Sequence, residues 1–300
     1  MRKILLISLS LFFISSCSLF EQKFTIVFTH NTNGWLEDCG CATGTKYGGL
    51  ARRASVFNSI ANNDEHAIFL DAGDVISTDN RNKLRDEYVV RIMNFLRYDA
   101  IGFGDQELIQ GTEFYYDYFS YLPMISSNVS GAGRAAKVLN RKETKIAVVS
   151  LLNPYMTGFI SDSIRKEIEV LDPEAVLDTL LSAFKQKEIK NVVLLSHMGW
   201  DADKKLAEKY PQLSLIISGH DQSPNDSMVV INDTPIVQNG PEGERVSMLE
   251  GYFSDGKFVI QHFNRIILDD KILPDSIVYS EIKNFKTEND SLKNLTGQKK

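Results

Sequence analysis

Five short segments of the chain carry the residue types that bind metals and move protons, and each directly follows an apolar run. They are His30-Asn31-Thr32-Asn33-Gly34, Gly73-Asp74, Gly104-Asp105-Gln106-Glu107, Ser196-His197 and Gly219-His220-Asp221-Gln222. Carboxylates supply charge and imidazoles supply nitrogen, a donor mixture that suits a divalent ion such as Zn, Mn or Fe. A single loop histidine is ordinarily a surface residue; five polar loops in one kind of setting point to a shared site. A further segment, Glu37 to Cys41, places the thiols of Cys39 and Cys41 either side of a glycine. Such a pair can donate to a soft metal or cycle as a redox couple. In an oxidising compartment it can equally be spent as a disulfide. No Ser/His/Asp hydrolase arrangement, phosphate-binding glycine-rich loop or dinucleotide fingerprint is present.

The elements that must position these loops follow from the apolar pattern. Short β-branched and aromatic runs predict strands at 24–29, 67–70, 100–101, 145–151, 192–195 and 213–217. Helical spacing predicts helices at 50–60, 83–96, 173–187 and 201–209. This alternation is the signature of an α/β fold, in which ligands gather on the loops beyond the carboxyl ends of the strands. From residue 234 the pattern turns to strands at 235–238, 247–253 and 258–268. A Ser254-Asp255-Gly256 turn joins the last two as a hairpin. The polar stretch 277–300 reads as a C-terminal tail, a frayed helix or disorder.

The ends and the composition set the compartment. Arg2 and Lys3 precede an 11-residue apolar run, Ile4 to Ile14, followed by Ser15, Ser16 and Cys17. A membrane span needs roughly 20 apolar residues, so this run suits the core of a secretory signal peptide. The Ile14-Ser15-Ser16-Cys17 segment resembles a loose bacterial lipobox, in which Cys17 is lipidated and becomes the N-terminus. The predicted organisation is a lipoprotein signal peptide at 1–16, a tether at 17–23, a domain at 24–276 and the tail. The protein is then exported to the bacterial cell envelope, periplasmic or surface-facing. The net charge of −6 argues against nucleic acid as a partner and against adhesion to anionic lipid. Membrane contact is therefore expected through the lipid alone. Three cysteines are too few for a disulfide scaffold.

In their order and setting these loops resemble the calcineurin-like metallophosphoesterase superfamily, and within it the N-terminal domain of 5′-nucleotidases. The family pattern is Asp-x-His, Gly-Asp, Gly-Asn-His-Glu, Ser-His and Gly-His-x-His. Gly48-Gly49-Leu50-Ala51-Arg52-Arg53, Leu70 to Asp74, Ser126-Ser127-Asn128 and Gln238-Asn239-Gly240 stand in family order around it. The resemblance spans roughly 25–268 and implies a four-layer α/β/β/α sandwich.

The resemblance also implies a two-metal site, and here the chain departs from it. Asp74 occupies the position shared by both ions. The remaining ligands of one ion fall on Asn31, Asn33 and Gln222, all neutral amides. Those of the other fall on Asp105, His197 and His220, which with Asp74 make a complete set of two carboxylates and two imidazoles. One divalent ion is therefore expected. The histidine that the family places near the leaving group is Gln106, which cannot act as a general acid at neutral pH. Asp105, asparagine in the family, adds negative charge where a phosphate would sit. These changes imply a metal-binding protein with weak or no phosphatase activity, partnered by a small phosphorylated molecule or a protein. The alternatives are an active single-metal phosphoesterase and a thiol-based redox or metal-handling protein using Cys39 and Cys41. His30 reads as a satisfied loop residue, and His66 and His262 as structural or exposed. Arg52 and Arg53 read as solvated or surface-paired, and Asp99 and Glu107 as structural support. The aromatic set Phe114, Tyr115, Tyr116, Tyr118, Phe119 and Tyr121 reads as core plus rim.

Overall fold

The computed structural model describes residues 22–39, 47–78, 81–221, 228–240 and 242–295. The expected leader, Cys17, Cys41 and Gln222 lie outside these residues, and Cys39 is described through its backbone alone. Among the described residues no helix is long and apolar enough to cross a membrane.

Two six-stranded mixed sheets stack face to face. The first runs Lys257–Ile267, Arg245–Ser254, Lys23–Thr29, Ile68–Asp71, Ala100–Gly102 and Met124–Ile125 from edge to edge. The second runs Val229–Ile231, Thr234–Val237, Leu215–Ser218, Asn191–His197, Thr144–Leu152 and Lys137–Arg141. The central strands of each are parallel, with antiparallel pairs at the margins. Alternate residues of a central strand enter different cores, as the two-residue period requires. Ile26 and Phe28 join Val148, Val193 and Leu195 between the sheets, whereas Val27 packs outward. Likewise Ala147, Val149 and Leu194 face the helices of the second sheet. Burial on both faces explains why these strands read as unbroken apolar runs.

Helices Leu50–Asn63 and Lys83–Phe95 cover the outer face of the first sheet, and Pro173–Gln186 and Trp200–Lys209 that of the second. The result is the α/β/β/α sandwich. Of the two readings of the polar stretch the structure shows the helix, Ser276–Leu295, and docks it: Val278, Ile282 and Phe285 are buried against the first sheet's helices. Their spacing of four and three residues makes a narrow apolar stripe, hidden in composition by polar neighbours. The first strand also begins at Lys23, inside the expected tether, where Lys23 pairs with Tyr252.

Candidate metal centre

Strand order brings the five loops to one end of the sandwich. The strands ending at Thr29, Asp71 and Gly102 lie side by side in the first sheet, and those ending at His197 and Ser218 are neighbours in the second. One ligand atom from each of Asp74, Asp105, His197 and His220 lies within 4.8 Å of all the others. The first three side chains are almost fully buried, and that of His220 is 27% exposed. His197 Nε2 stands 3.1 Å from Asp74 Oδ2 and 2.9 Å from Asp105 Oδ1, and His220 Nδ1 stands 3.2 Å from Asp105 Oδ1. His197 Nδ1 lies 3.0 Å from the carbonyl of Ala72. With its proton donated there, Nε2 is left as the ligand nitrogen.

The electrostatics fit a cation. Burial disfavours a charged His197, yet Asp74 and Asp105 overcome burial and raise its pKa well above the ordinary value. Burial also disfavours an ionised Asp105, but hydrogen bonds from His197 and His220 outweigh it and hold the carboxyl well below the usual range. The two carboxylates thus draw positive charge to this point, and a divalent ion on two carboxylates and two imidazoles meets the same demand.

Backbone strain and close approach shape the loops. Asp74 (φ 59°) and His220 (φ 62°) both take the left-handed region, as do Asn31 (φ 49°) and Asn33 (φ 50°). Such conformations cost energy for non-glycine residues and cluster at functional sites. A Cβ on Gly104 would lie 2.3 Å from Asp74 Oδ1, and one on Gly219 would lie 2.9 Å from His197 Nδ1. Glu107 ties two ligand loops together: its carboxylate accepts from Val75 N and Gly104 N, each at 2.7 Å. Burial and the charge of Asp74 raise its pKa to about 8. Asp99 also acts structurally, accepting from Phe69 N at 3.0 Å and pairing with Arg141.

The amide positions are described for Asn31, Asn33 and Gln106. Gln106 Nε2 donates to Asp74 Oδ2 at 3.0 Å and to Asn33 Oδ1 at 3.2 Å, and Asn31 Nδ2 donates to the His220 carbonyl at 3.1 Å. His30 is buried beside them, accepts from Asn239 N at 2.6 Å, and has its pKa lowered to about 3, chiefly by burial. Nε2 is thus satisfied, but the buried Nδ1 has no hydrogen-bond partner among the described residues, so the expectation of a satisfied loop residue holds only in part. His66 and His262 both lie toward solvent.

Arg53 corrects the expectation of a surface arginine. It is 1% exposed, and its Nη1 donates to Thr32 Oγ1 at 2.8 Å and to the Tyr98 hydroxyl at 3.2 Å. Tyr98 and Thr29 share a hydrogen bond of 2.7 Å, and Thr29 donates to Asp71 Oδ2 at 2.5 Å. Asp71 in turn accepts from Gly73 N at 2.9 Å. A buried arginine thereby links the loop after the first strand to the loop that carries Asp74. The signal lay in the helix pattern, because Arg53 belongs with Leu50, Ala54 and Phe57 on the inward face. Arg52, one position round the helix, pairs with Asp38 at 3.4 Å near the surface.

The cysteine segment forms a two-residue ribbon, Asp38–Cys39 with Tyr47–Gly48, so Cys39 pairs with Tyr47. At its base Glu37 pairs with Lys286 of the C-terminal helix at 2.6 Å.

This sandwich, with a carboxylate–imidazole cluster at the carboxyl ends of its strands, has the architecture of metal-dependent phosphoesterases. Residues 29–224 match the calcineurin-like phosphoesterase family, and the chain belongs to it. Its homology is to the N-terminal domains of 5′-nucleotidases. A snake venom 5′-nucleotidase of Naja atra is 28% identical over 92% of this chain and 58% of its own length. The trifunctional nucleotide phosphoesterase protein YfkN of Bacillus subtilis is 25% identical over 90% of this chain and 21% of its own. The chain therefore spans less than two thirds of each. Among solved structures, a 5′-nucleotidase precursor from Thermus thermophilus superposes with a TM-score of 0.79 at 23% identity, covering 90% of this chain and 60% of that one.

Proposed function

We propose that this protein is an exported, lipid-anchored phosphoesterase-fold protein that holds one divalent ion on Asp74, Asp105, His197 and His220. It binds a phosphorylated small molecule or a protein partner with little or no turnover. The observation that carries the reading is the hydrogen bond from Gln106 Nε2 to Asp74 Oδ2. An amide sits on the carboxylate that a second ion would have to share, and Asn31 and Asn33 beside it offer neutral oxygens in place of charge. A bound divalent ion supplies Lewis acidity toward a phosphoryl oxygen. The chain's own residues then do little to complete hydrolysis. Gln106 provides no general acid, a contribution worth ~10²–10⁴-fold in rate. Asp105 sets a negative charge against an incoming phosphate dianion. The lipid anchor rests on the leader pattern and Cys17.

Elemental analysis of protein purified without chelator, paired with turnover of p-nitrophenyl phosphate, tests the reading. One ion per chain with negligible turnover is expected. Two ions per chain, or rapid turnover that Asp74→Ala abolishes, would overturn it.

A further inference from the structure

A cavity lies away from the ligand loops. It has a volume of about 610 Å³ and opens beside the edge strand Met124–Ile125, at the entry end of strand Ala100–Gly102. The Asp105 loop leaves the opposite end of that strand. None of the four candidate metal ligands lines the cavity, and among the described residues no carboxylate does. Two cations do, Arg134 and Lys137. In a chain of net charge −6 this local balance is the reverse of the whole. Lys137 Nζ donates to the backbone carbonyl of Asp99 at 2.6 Å. The Asp99 carboxylate is engaged elsewhere, by Phe69 N–H and by Arg141. Burial, with Arg134 and Arg141 nearby, lowers the Lys137 pKa despite the charge of Asp99. A bound anion would relieve that crowding.

Five aromatic rings, Tyr98, Tyr115, Tyr116, Phe119 and Tyr121, share the wall with small and aliphatic residues, and part of it is unusually built. Residues Tyr115–Phe119 form a π-helical turn, a rare geometry found mostly at functional sites. Within it Tyr115 and Phe119 stack at 5.1 Å with planes 18° apart, and both are buried. Tyr116 and Tyr121 remain 55% and 75% exposed at the rim. The aromatic set is therefore core plus rim, and its rim faces a cationic cavity. Rings and cations together on one wall recognise ligands that are flat and negatively charged.

We propose that this cavity binds a small planar aromatic anion. Its ring lies against Tyr116 and Tyr121, and its carboxylate or phosphate is held by Arg134 and Lys137. The site is independent of the metal centre.

Isothermal titration of the whole chain with phenylphosphonate, which has no ester bond to cleave, tests this. Methylphosphonate supplies the charge without the ring, and benzyl alcohol the ring without the charge. One-to-one saturation by phenylphosphonate is expected in chelator, which keeps the metal centre empty and isolates this cavity. Arg134→Ala and Tyr121→Ala, both at exposed positions, should keep the parent melting temperature and each weaken binding by roughly tenfold. Both comparison ligands should bind at least about tenfold more weakly than phenylphosphonate. The proposal is overturned if phenylphosphonate fails to saturate, or if chelator abolishes its binding. It is equally overturned if methylphosphonate binds as tightly, or if either variant binds like the parent.

Discussion

Replacing His220 by alanine isolates the metal reading from the fold. His220 is the most exposed of the four candidate ligands, and its hydrogen bond to Asp105 is the longest of the three contacts between imidazole and carboxylate in the cluster. Asp105 keeps His197 at 2.9 Å, so losing the partly exposed His220 contact costs folding about 1 kcal/mol. The cost to metal binding is larger. Four-ligand zinc sites bind with ~10–16 kcal/mol, so one ligand accounts for roughly 2.5–4 kcal/mol, or ~10²–10³ in Kd. Two measurements follow. Competition with a chromophoric chelator should show that loss of affinity directly. Thermal melts should agree: metal at ~100 times the parent Kd adds about 2.7 kcal/mol to the parent, but under about 0.5 kcal/mol to His220→Ala. A variant Kd within roughly threefold of the parent would show that His220 is not a ligand and would break the four-residue assignment.

Gly104→Ala should injure stability and metal binding together. Its Cβ would stand 2.3 Å from Asp74 Oδ1 and 2.7 Å from the Asp74 backbone nitrogen, which cannot swing aside. A loss of roughly 1–3 kcal/mol in urea unfolding is expected. Metal affinity should fall by about 10–100-fold. Asp203 supplies a pH test. It is fully buried, bonded to the Ser196 hydroxyl, and burial pushes its pKa up to about 6 from the ordinary 3.8. The native carboxyl holds its proton to higher pH than the unfolded one, so this group's stability is complete below pH 3.8 and is lost as pH rises to about 6. The loss amounts to roughly 3 kcal/mol at ~1.36 kcal/mol per unit. Asp203→Asn should flatten urea-derived stability across that window; an unchanged slope between pH 4 and about 6.5 would contradict the burial argument.

The stretches that sequence reasoning missed share a physical cause. Strand Lys137–Arg141 buries only Leu139, because it lies at a sheet edge with little apolar pattern to show. Strand Met124–Ile125 is two residues long, too short for any period to register. Helix Ser276–Leu295 is legible as a helix, but its docking is not, because polar residues outnumber its one narrow apolar stripe. Residue type alone places a charged side chain such as Arg53 at the surface. Its position on the inward face of helix Leu50–Asn63 was the better guide.

What the amino-acid order determined by itself was local. Apolar runs such as Val192–Leu195 specify strands buried on two faces, helical spacing specifies the covering layers, and each polar cluster falls where a strand must end. The resemblance added which clusters belong to one centre. Tertiary structure alone decided that Asp74 and His220, 146 positions apart by number, meet within 4.8 Å. It also decided that the Gln106 amide rests on Asp74, and that Arg53 is sealed beneath the loops. The reason is that strand order within the sheets, and the stacking of one sheet on the other, depend on pairings between distant segments, which no local period encodes.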